Sequence, residues 1–171
     1  MDIEDLSFFQ EYYLDTNTLV IMLCGLFDES SKSHTLKQIA RFTPEDFKAV
    51  KMALRHAKQI NVTPHVLTET LALLENRIPK NYFQPFFSNV KEWLLATDEI
   101  FDWTKQGKNQ LLTHQKCSDF GIVDLSLFLA PAGTGTVLVT SDKALHGMCK
   151  ANGVNSIHLS ELVALYLQQQ N

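Results

Sequence analysis

The sequence predicts an α/β protein with three layers, in which a short central parallel sheet lies between two layers of helices. Short apolar segments typical of strands alternate along the chain with segments typical of helices. The 171 residues, of which 45% are hydrophobic, suit a single globular domain, 1–171, with one core. Two acids, Asp15 and Asp142, directly follow strand-like segments, which is the position of the carboxyl edge of a parallel sheet.

The first third of the chain predicts a strand, two helices and a loop between them. The strand covers 12–14, and a helix follows over 16–25, since Thr or Asn caps its start and Gly25 is a frequent kind of helix stop. The polar stretch 28–35 predicts a loop. A Thr cap, a proline in the first turn and two acids then predict a helix over 43–59.

A basic stripe lies beside the apolar stripe of the predicted helix 43–59. Apolar residues recur at three-and-four spacing along it, and bases recur in the same way on the neighbouring stripe. A solvated face is the simpler interpretation of such a stripe, and contact with a polyanion is the alternative. The stripe belongs to a helical basic region around 28–59, and its members are Lys48, Lys51, Arg55 and Lys58.

The middle of the chain predicts a strand followed by two helices. The strand covers 60–63, and Pro64 opens a helix that carries Glu69 in its first turns. A further helix is predicted over 81–96. The stretch 98–119 mixes glycine with polar residues and predicts no clear element.

The last third predicts alternating helices and strands around two more acids. In order, the pattern indicates helix, strand, helix, strand and helix, over 121–130, 136–140, 143–152, 157–159 and from 160 onward. Asp124 lies near the start of the first of these helices, and Asp142 follows the Val-rich strand. We expect Gly153 to end the helix before it in a left-handed conformation.

Composition excludes several classes of protein. No apolar run approaches the roughly 20 residues of a membrane-spanning helix, and the N-terminus is acidic, so the sequence predicts a cytoplasmic protein away from membranes. The three cysteines are odd in number and widely spaced, which favours neither a disulfide framework nor a zinc site. The histidines show no spacing typical of metal ligands, so we expect them to be ordinary surface or core residues.

Four carboxylates are predicted to meet at one edge of the sheet. Asp15 and Asp142 end strands, and helix beginnings after strands bring Glu69 and Asp124 to the same edge. Four carboxylates repel one another, so they need a metal ion or raised pKa values. Oxygen ligands of this kind favour Mg²⁺ or Mn²⁺, and such ions catalyse phosphodiester hydrolysis. Asp119, five residues before Asp124, is a rival for the third acid.

Four motifs together resemble the PIN-domain nucleases, including the small VapC-like ribonucleases. The resemblance spans nearly the whole chain, and the motifs occur in the order of the family, each in the expected element. They are Tyr13-Leu14-Asp15-Thr16-Asn17-Thr18-Leu19-Val20, Thr63-Pro64-His65-Val66-Leu67-Thr68-Glu69, Gly121-Ile122-Val123-Asp124 and Val137-Leu138-Val139-Thr140-Ser141-Asp142.

The resemblance implies a metal-dependent endoribonuclease with a PIN-like fold. In that family the acids matching Asp15, Glu69, Asp124 and Asp142 are the catalytic and metal-binding residues, with Mg²⁺ or Mn²⁺ as the cofactor. The positions matching Asn17, Thr140 and Ser141 would orient acids, water or substrate. The expected substrate is RNA, which the basic stripe would bind. Many small members are toxins of toxin–antitoxin pairs, so an antitoxin partner and a homodimer both stay open.

The negative net charge does not exclude an RNA substrate. The chain carries a formal charge of -4, whereas nucleic-acid-binding proteins usually have an excess of bases. Without the four site acids, the remaining acids equal the 15 lysines and arginines in number. A bound divalent ion would also neutralise part of the charge of the site.

Two alternative functions remain. The segment from Asp15 to Leu19 loosely resembles the first motif of haloacid-dehalogenase-like phosphatases, but Asn17 stands where that family has a second acid. The other alternative is a PIN-like module that binds RNA or a protein without catalysis.

Overall fold

The computed structural model describes residues 6–31, 42–131 and 133–170, and its centre is a parallel sheet. Within these residues the sheet has five strands in the order β3–β2–β1–β4–β5, and every neighbouring pair is parallel. The strands are β1 (Glu11–Leu14), β2 (Gln59–Val62), β3 (Asp98–Glu99), β4 (Thr136–Thr140) and β5 (Ser156–His158). β4 is buried along its whole length, as expected for a central strand covered on both faces.

The helices form one layer on each face of this sheet. They are α1 (Thr16–Ser31), α2 (Pro44–Ala53), α3 (Pro64–Arg77), α4 (Lys80–Leu95), α5 (Trp103–Gln106), α6 (Lys108–Thr113), α7 (Cys117–Leu129), α8 (Lys143–Ala151) and α9 (Leu159–Gln168). The chain moves outward from β1 to β3 and then returns to β4 and β5. Right-handed crossovers therefore place the helices between β3 and β5 on the face opposite to the helices between β1 and β3. α2 packs against α9 and α7 against α8, which confirms the predicted α/β/α fold.

Gly25 lies inside a helix, so its predicted role as a helix stop is wrong. α1 continues to Ser31, which also places the first residues of the predicted loop 28–35 in a helix; 32–35 lies outside the described residues. The glycine allows close packing instead, because a Cβ there would lie 2.1 Å from Cδ2 of Phe47 on α2. This contact joins residues far apart in sequence, so local pattern could not reveal it.

The close approach at Gly25 predicts opposite effects for two glycine substitutions. Gly25→Ala should destabilise the fold by about 1–3 kcal/mol, since the buried Phe47 ring must shift. Gly147→Ala should stabilise it by about 0.5–1 kcal/mol, because α8 gains a better helix former and the new methyl meets nothing within 4 Å. Urea denaturation of both variants measures these changes. Equal stability of Gly25→Ala and the unchanged protein would contradict the packing account.

The predicted helix 43–59 is too long. α2 ends at Ala53, a 3-10 turn covers Leu54–His56, and β2 begins at Gln59. Pairing of β2 with β1 extends the chain here and overrides the helical periodicity. Lys58 therefore does not lie on the helix, and its backbone N donates to the carbonyl of Gln10 at the amino end of the sheet (2.8 Å).

Elsewhere the predicted elements agree with the structure to within a few residues. For the stretch 98–119 the sequence predicts no clear helix or strand. In the structure this stretch contains β3 and the short helices α5 and α6. The predicted helix 81–96 is α4, which begins at Lys80 and contains Pro85. Gly153 has the expected positive φ of 72° after α8. The three cysteines are unpaired thiols. In the described ranges no helix is long and apolar enough to span a membrane.

Candidate active site

The four predicted acids line one pocket at the carboxyl edge of the sheet. The cavity has a volume of about 210 Å³ and is bounded by Asp15, Thr16, Asn17, Glu69, Leu73, Asp124 and Asp142. The acids come from four different elements or their ends: β1, α3, α7 and the turn after β4. The topology thus gathers carboxylates from as far apart in the sequence as Asp15 and Asp142.

Asp15 is the most deeply held of the four acids. It follows β1, is 5% exposed and accepts hydrogen bonds at both carboxylate oxygens. The Thr18 backbone N donates to Oδ1 (2.6 Å), while Thr140 Oγ1 (2.6 Å) and Ser141 N (2.9 Å) donate to Oδ2. Burial raises the pKa of Asp15 above its usual value, and these donors oppose that shift. The bonds fix the orientation of the carboxylate.

Asp142 combines a structural role with its place in the pocket. As the N-cap of α8, its Oδ1 accepts from the backbone N of Ala144 (2.6 Å) and Leu145 (2.9 Å). Its own N donates to Thr140 Oγ1 (2.9 Å). Within the described residues Oδ2 takes part in none of the hydrogen bonds. One oxygen of Asp142 therefore anchors the helix while the other remains for a ligand.

Thr140, Ser141 and Asn17 hold the acids in place. Thr140 is fully buried, and its hydroxyl donates to Asp15 while accepting from the backbone of Asp142. It therefore orients acids and does not reach solvent. Asn17 is exposed in the pocket wall, and its Nδ2 donates to Ser141 Oγ (3.1 Å).

Glu69 reaches the pocket from the second turn of α3. That helix starts at an N-cap, Thr63, whose hydroxyl accepts from Val66 N (3.3 Å). The Thr16 hydroxyl donates to Glu69 Oε2 and so connects the start of α1 to the second acid. Thr16 was not among the residues singled out from sequence, because its partner lies 53 residues away.

Asp124, and not its rival Asp119, completes the pocket. Gly121 has a φ of 72°, which divides α7 into two helical segments, and Asp124 lies in the first turn after this kink. Burial, then the negative charges of Asp142, Asp15 and Glu69, raise the pKa of Asp124 to about 6. Asp119 is exposed and accepts instead from the adjacent Ser118 hydroxyl (3.2 Å).

The pocket concentrates negative charge without a basic partner. In the described part of the chain, no lysine or arginine forms an ion pair with any of the four acids. This charge adds to the effect of burial in raising the pKa of Asp124, since a proton bound there relieves the repulsion. A divalent cation would relieve the same repulsion.

The donor set fits a hard divalent ion such as Mg²⁺ or Mn²⁺. All charged donors in the pocket are carboxylates, together with the oxygen atoms of Thr16 and Asn17. Among the described residues, no group of three or more His, Cys, Asp or Glu side chains has the geometry to hold a metal ion, so the pocket is not a preformed ligand cage. Mg²⁺ does not need such a cage, because it typically takes one or two carboxylates and completes its shell with water and phosphate.

Two members of the predicted basic stripe, Lys51 and Lys58, lie away from the acid pocket. Lys58 is at the amino end of the sheet, opposite the pocket. Lys51 Nζ pairs with Glu29 near the end of α1 (2.6 Å) and lies over the Phe47 ring (5.3 Å). Glu29 is about 20 Å along the helix from Thr16. RNA binding by Lys48, Lys51, Arg55 and Lys58 stays a prediction that the site geometry does not support.

Comparison with known proteins finds no matching family model, no similar curated protein and no similar solved structure.

Proposed function

We propose that the chain is a metal-dependent endoribonuclease that hydrolyses phosphodiester bonds in RNA, as the resemblance to PIN-domain nucleases implies. The observation that carries this proposal is the convergence of four carboxylates, from separate elements, on one pocket. Among the described residues, no lysine or arginine forms an ion pair with them. Such a pocket attracts a divalent cation and, through it, an anionic phosphate. Phosphodiester hydrolysis is the reaction for which this arrangement is best suited.

The four acids have different tasks in this proposal. A bound Mg²⁺ or Mn²⁺ would polarise the phosphodiester and lower the pKa of an attacking water. Asp142 Oδ2 and Glu69 would hold the ion, since their other oxygens are engaged by α8 and Thr16. Asp15 is held rigidly by three donors and would add its negative charge to the attraction for the ion.

Asp124 is the acid best suited to accept a proton from the attacking water. Its pKa of about 6 is closer to neutral pH than that of an ordinary carboxylate, so it is largely ionised at pH 7 yet basic enough to bind a proton. In hydrolysis the water oxygen would bond to phosphorus and its proton would pass to Asp124. The bond between phosphorus and the leaving nucleoside oxygen would break, and that oxygen would keep the electron pair and take a proton from solvent. Activity should fall as the pH is lowered, because the protonated form of Asp124 cannot accept a further proton.

Calorimetric titration with Mn²⁺ tests the metal site directly. The unchanged protein should bind Mn²⁺, and Asp124→Asn should weaken that affinity at least about tenfold, because a carboxylate of the pocket is lost. Asp119→Asn is the matched control, since it removes an acid five residues away that lies outside the pocket. Equal Mn²⁺ affinity of Asp124→Asn and Asp119→Asn would contradict the assignment.

A phosphatase that forms an aspartyl phosphate is less well supported. That mechanism needs a nucleophilic carboxylate oxygen, but both oxygens of Asp15 accept hydrogen bonds and the residue is 5% exposed. The exposed Asn17 cannot act as the general acid. Hydrolysis of p-nitrophenyl phosphate without cleavage of RNA would favour the phosphatase.

A module without catalysis would bind RNA or a protein such as an antitoxin and cleave neither substrate.

A further inference from the structure

A histidine forms a hydrogen bond to the corner between β4 and α8, which consists of Ser141 and Asp142. His158 ends β5, and its Nε2 lies 3.0 Å from the carbonyl oxygen of Ser141. A carbonyl can only accept, so His158 Nε2 carries the proton and donates. The opposite ring nitrogen, Nδ1, accepts from the backbone N of Ser160 (3.2 Å) and caps α9. Both contacts require the same neutral tautomer.

This bond acts on the peptide plane that carries Asp142. The carbonyl of Ser141 and the N–H of Asp142 belong to one rigid peptide unit. His158 holds its oxygen, and Thr140 Oγ1 holds its nitrogen (2.9 Å). Because both ends of the unit are fixed, the position of the Asp142 Cα is fixed as well. The Thr140 hydroxyl also donates to Asp15, so one set of bonds connects β5 to two acids of the pocket.

We propose that His158 is a positioning residue for the metal site, which orients Asp142 by donating from Nε2 to the carbonyl of Ser141. The proposal rests on the metal-dependent function proposed above and adds a residue outside the four acids. His158 does not line the acid pocket, so its effect must pass through Ser141 and Asp142. Sequence gave no reason to select it, because it lies 17 residues from its partner.

Two substitutions separate the positioning bond from the helix cap. In His158→Asn, the side-chain oxygen can replace Nδ1 as the acceptor for Ser160, since Asn is a good N-cap, but the chain is too short to reach Ser141. In His158→Gln, the amide nitrogen lies as many bonds from the backbone as Nε2 and can still donate to Ser141. His158→Asn thus removes the bond to Ser141 and keeps the cap of α9, whereas His158→Gln keeps the bond to Ser141 and removes the cap.

The inference predicts a clear order of Mn²⁺ affinities for these proteins. His158→Asn should bind Mn²⁺ about 10–100-fold more weakly, the usual effect of removing a residue that orients a metal ligand, with little change in melting temperature. His158→Gln should keep near-native affinity and lose some thermal stability. Native affinity in His158→Asn, or equal weakening in both variants, would overturn the inference.

Hydrogen exchange of the Asp142 amide separates this inference from the proposed function. In the metal-free protein, this amide should exchange faster in His158→Asn and at the native rate in His158→Gln, because only the first releases the peptide unit. If the unchanged protein binds no Mn²⁺, the proposed function fails, and the exchange rates still decide whether His158 holds the corner. Unchanged exchange in His158→Asn would overturn the positioning role.

Discussion

Asp142→Asn should lose RNA cleavage activity by at least about 100-fold while the protein stays folded. The Asn side-chain oxygen can take over the two bonds from Ala144 and Leu145, so α8 keeps its cap. The amide group then replaces Oδ2, which is the oxygen left for the ion, and removes its negative charge. Cleavage rates at saturating Mn²⁺, together with circular dichroism of both proteins, measure the two parts of this prediction.

Asp102→Asn provides a matched control for this substitution. Asp102 is also an aspartate N-cap, which accepts from Thr104 N (2.8 Å) at the start of α5, but it does not line the acid pocket. Its replacement should leave RNA cleavage unchanged. If Asp142→Asn kept native turnover, or if both variants lost activity equally, Asp142 would not have the role assigned to it.

Asp124→Asn should abolish most activity and yet stabilise the metal-free protein at neutral pH. The pKa of Asp124 is raised to about 6 from 3.8, so the folded chain holds this proton more tightly than the unfolded chain. The free energy of unfolding therefore falls as the pH rises between these two values. Above pH 6 the carboxylate is charged, and it destabilises the folded protein by the full amount. Because the side chain is only partly buried, solvent screens this effect. We therefore expect Asp124→Asn to raise the free energy of unfolding by about 1 kcal/mol.

Urea denaturation in EDTA at several pH values checks this prediction. The advantage of Asp124→Asn over the unchanged protein should be complete at pH 7.5 and disappear near pH 4, where the native carboxyl group is protonated as well. Adding Mn²⁺ should reverse the order, because ligand binding stabilises the unchanged protein more. A variant that is less stable than the unchanged protein in EDTA at pH 7.5 would contradict the electrostatic account.

The acids of the pocket could be found from sequence because their signals are local. Asp15 and Asp142 each follow a strand that is buried and rich in apolar residues, and the carboxyl ends of parallel strands share one edge. The motif 121–124 contains Asp124 and not Asp119, and the same is true of the pocket. The layer architecture followed from the alternation of the same segments.

What sequence could not supply depends on contacts between distant residues. Gly25 looks like a helix stop until the Phe47 ring of α2 is placed against it. Lys58 fits a helical stripe until strand pairing extends the chain around it. The bonds that orient the acids, from Thr16 and His158, join separate elements and leave no periodic pattern.

Cleavage of a labelled single-stranded RNA by protein purified in EDTA tests the central claim most directly. The account predicts no cleavage in EDTA, cleavage after Mg²⁺ or Mn²⁺ is added in excess, and loss of cleavage when EDTA again exceeds the metal. Asp142→Asn, purified in the same way, shows whether the activity belongs to this chain. Cleavage that persists in EDTA, or RNA that stays intact with the unchanged protein and saturating metal, would contradict the account.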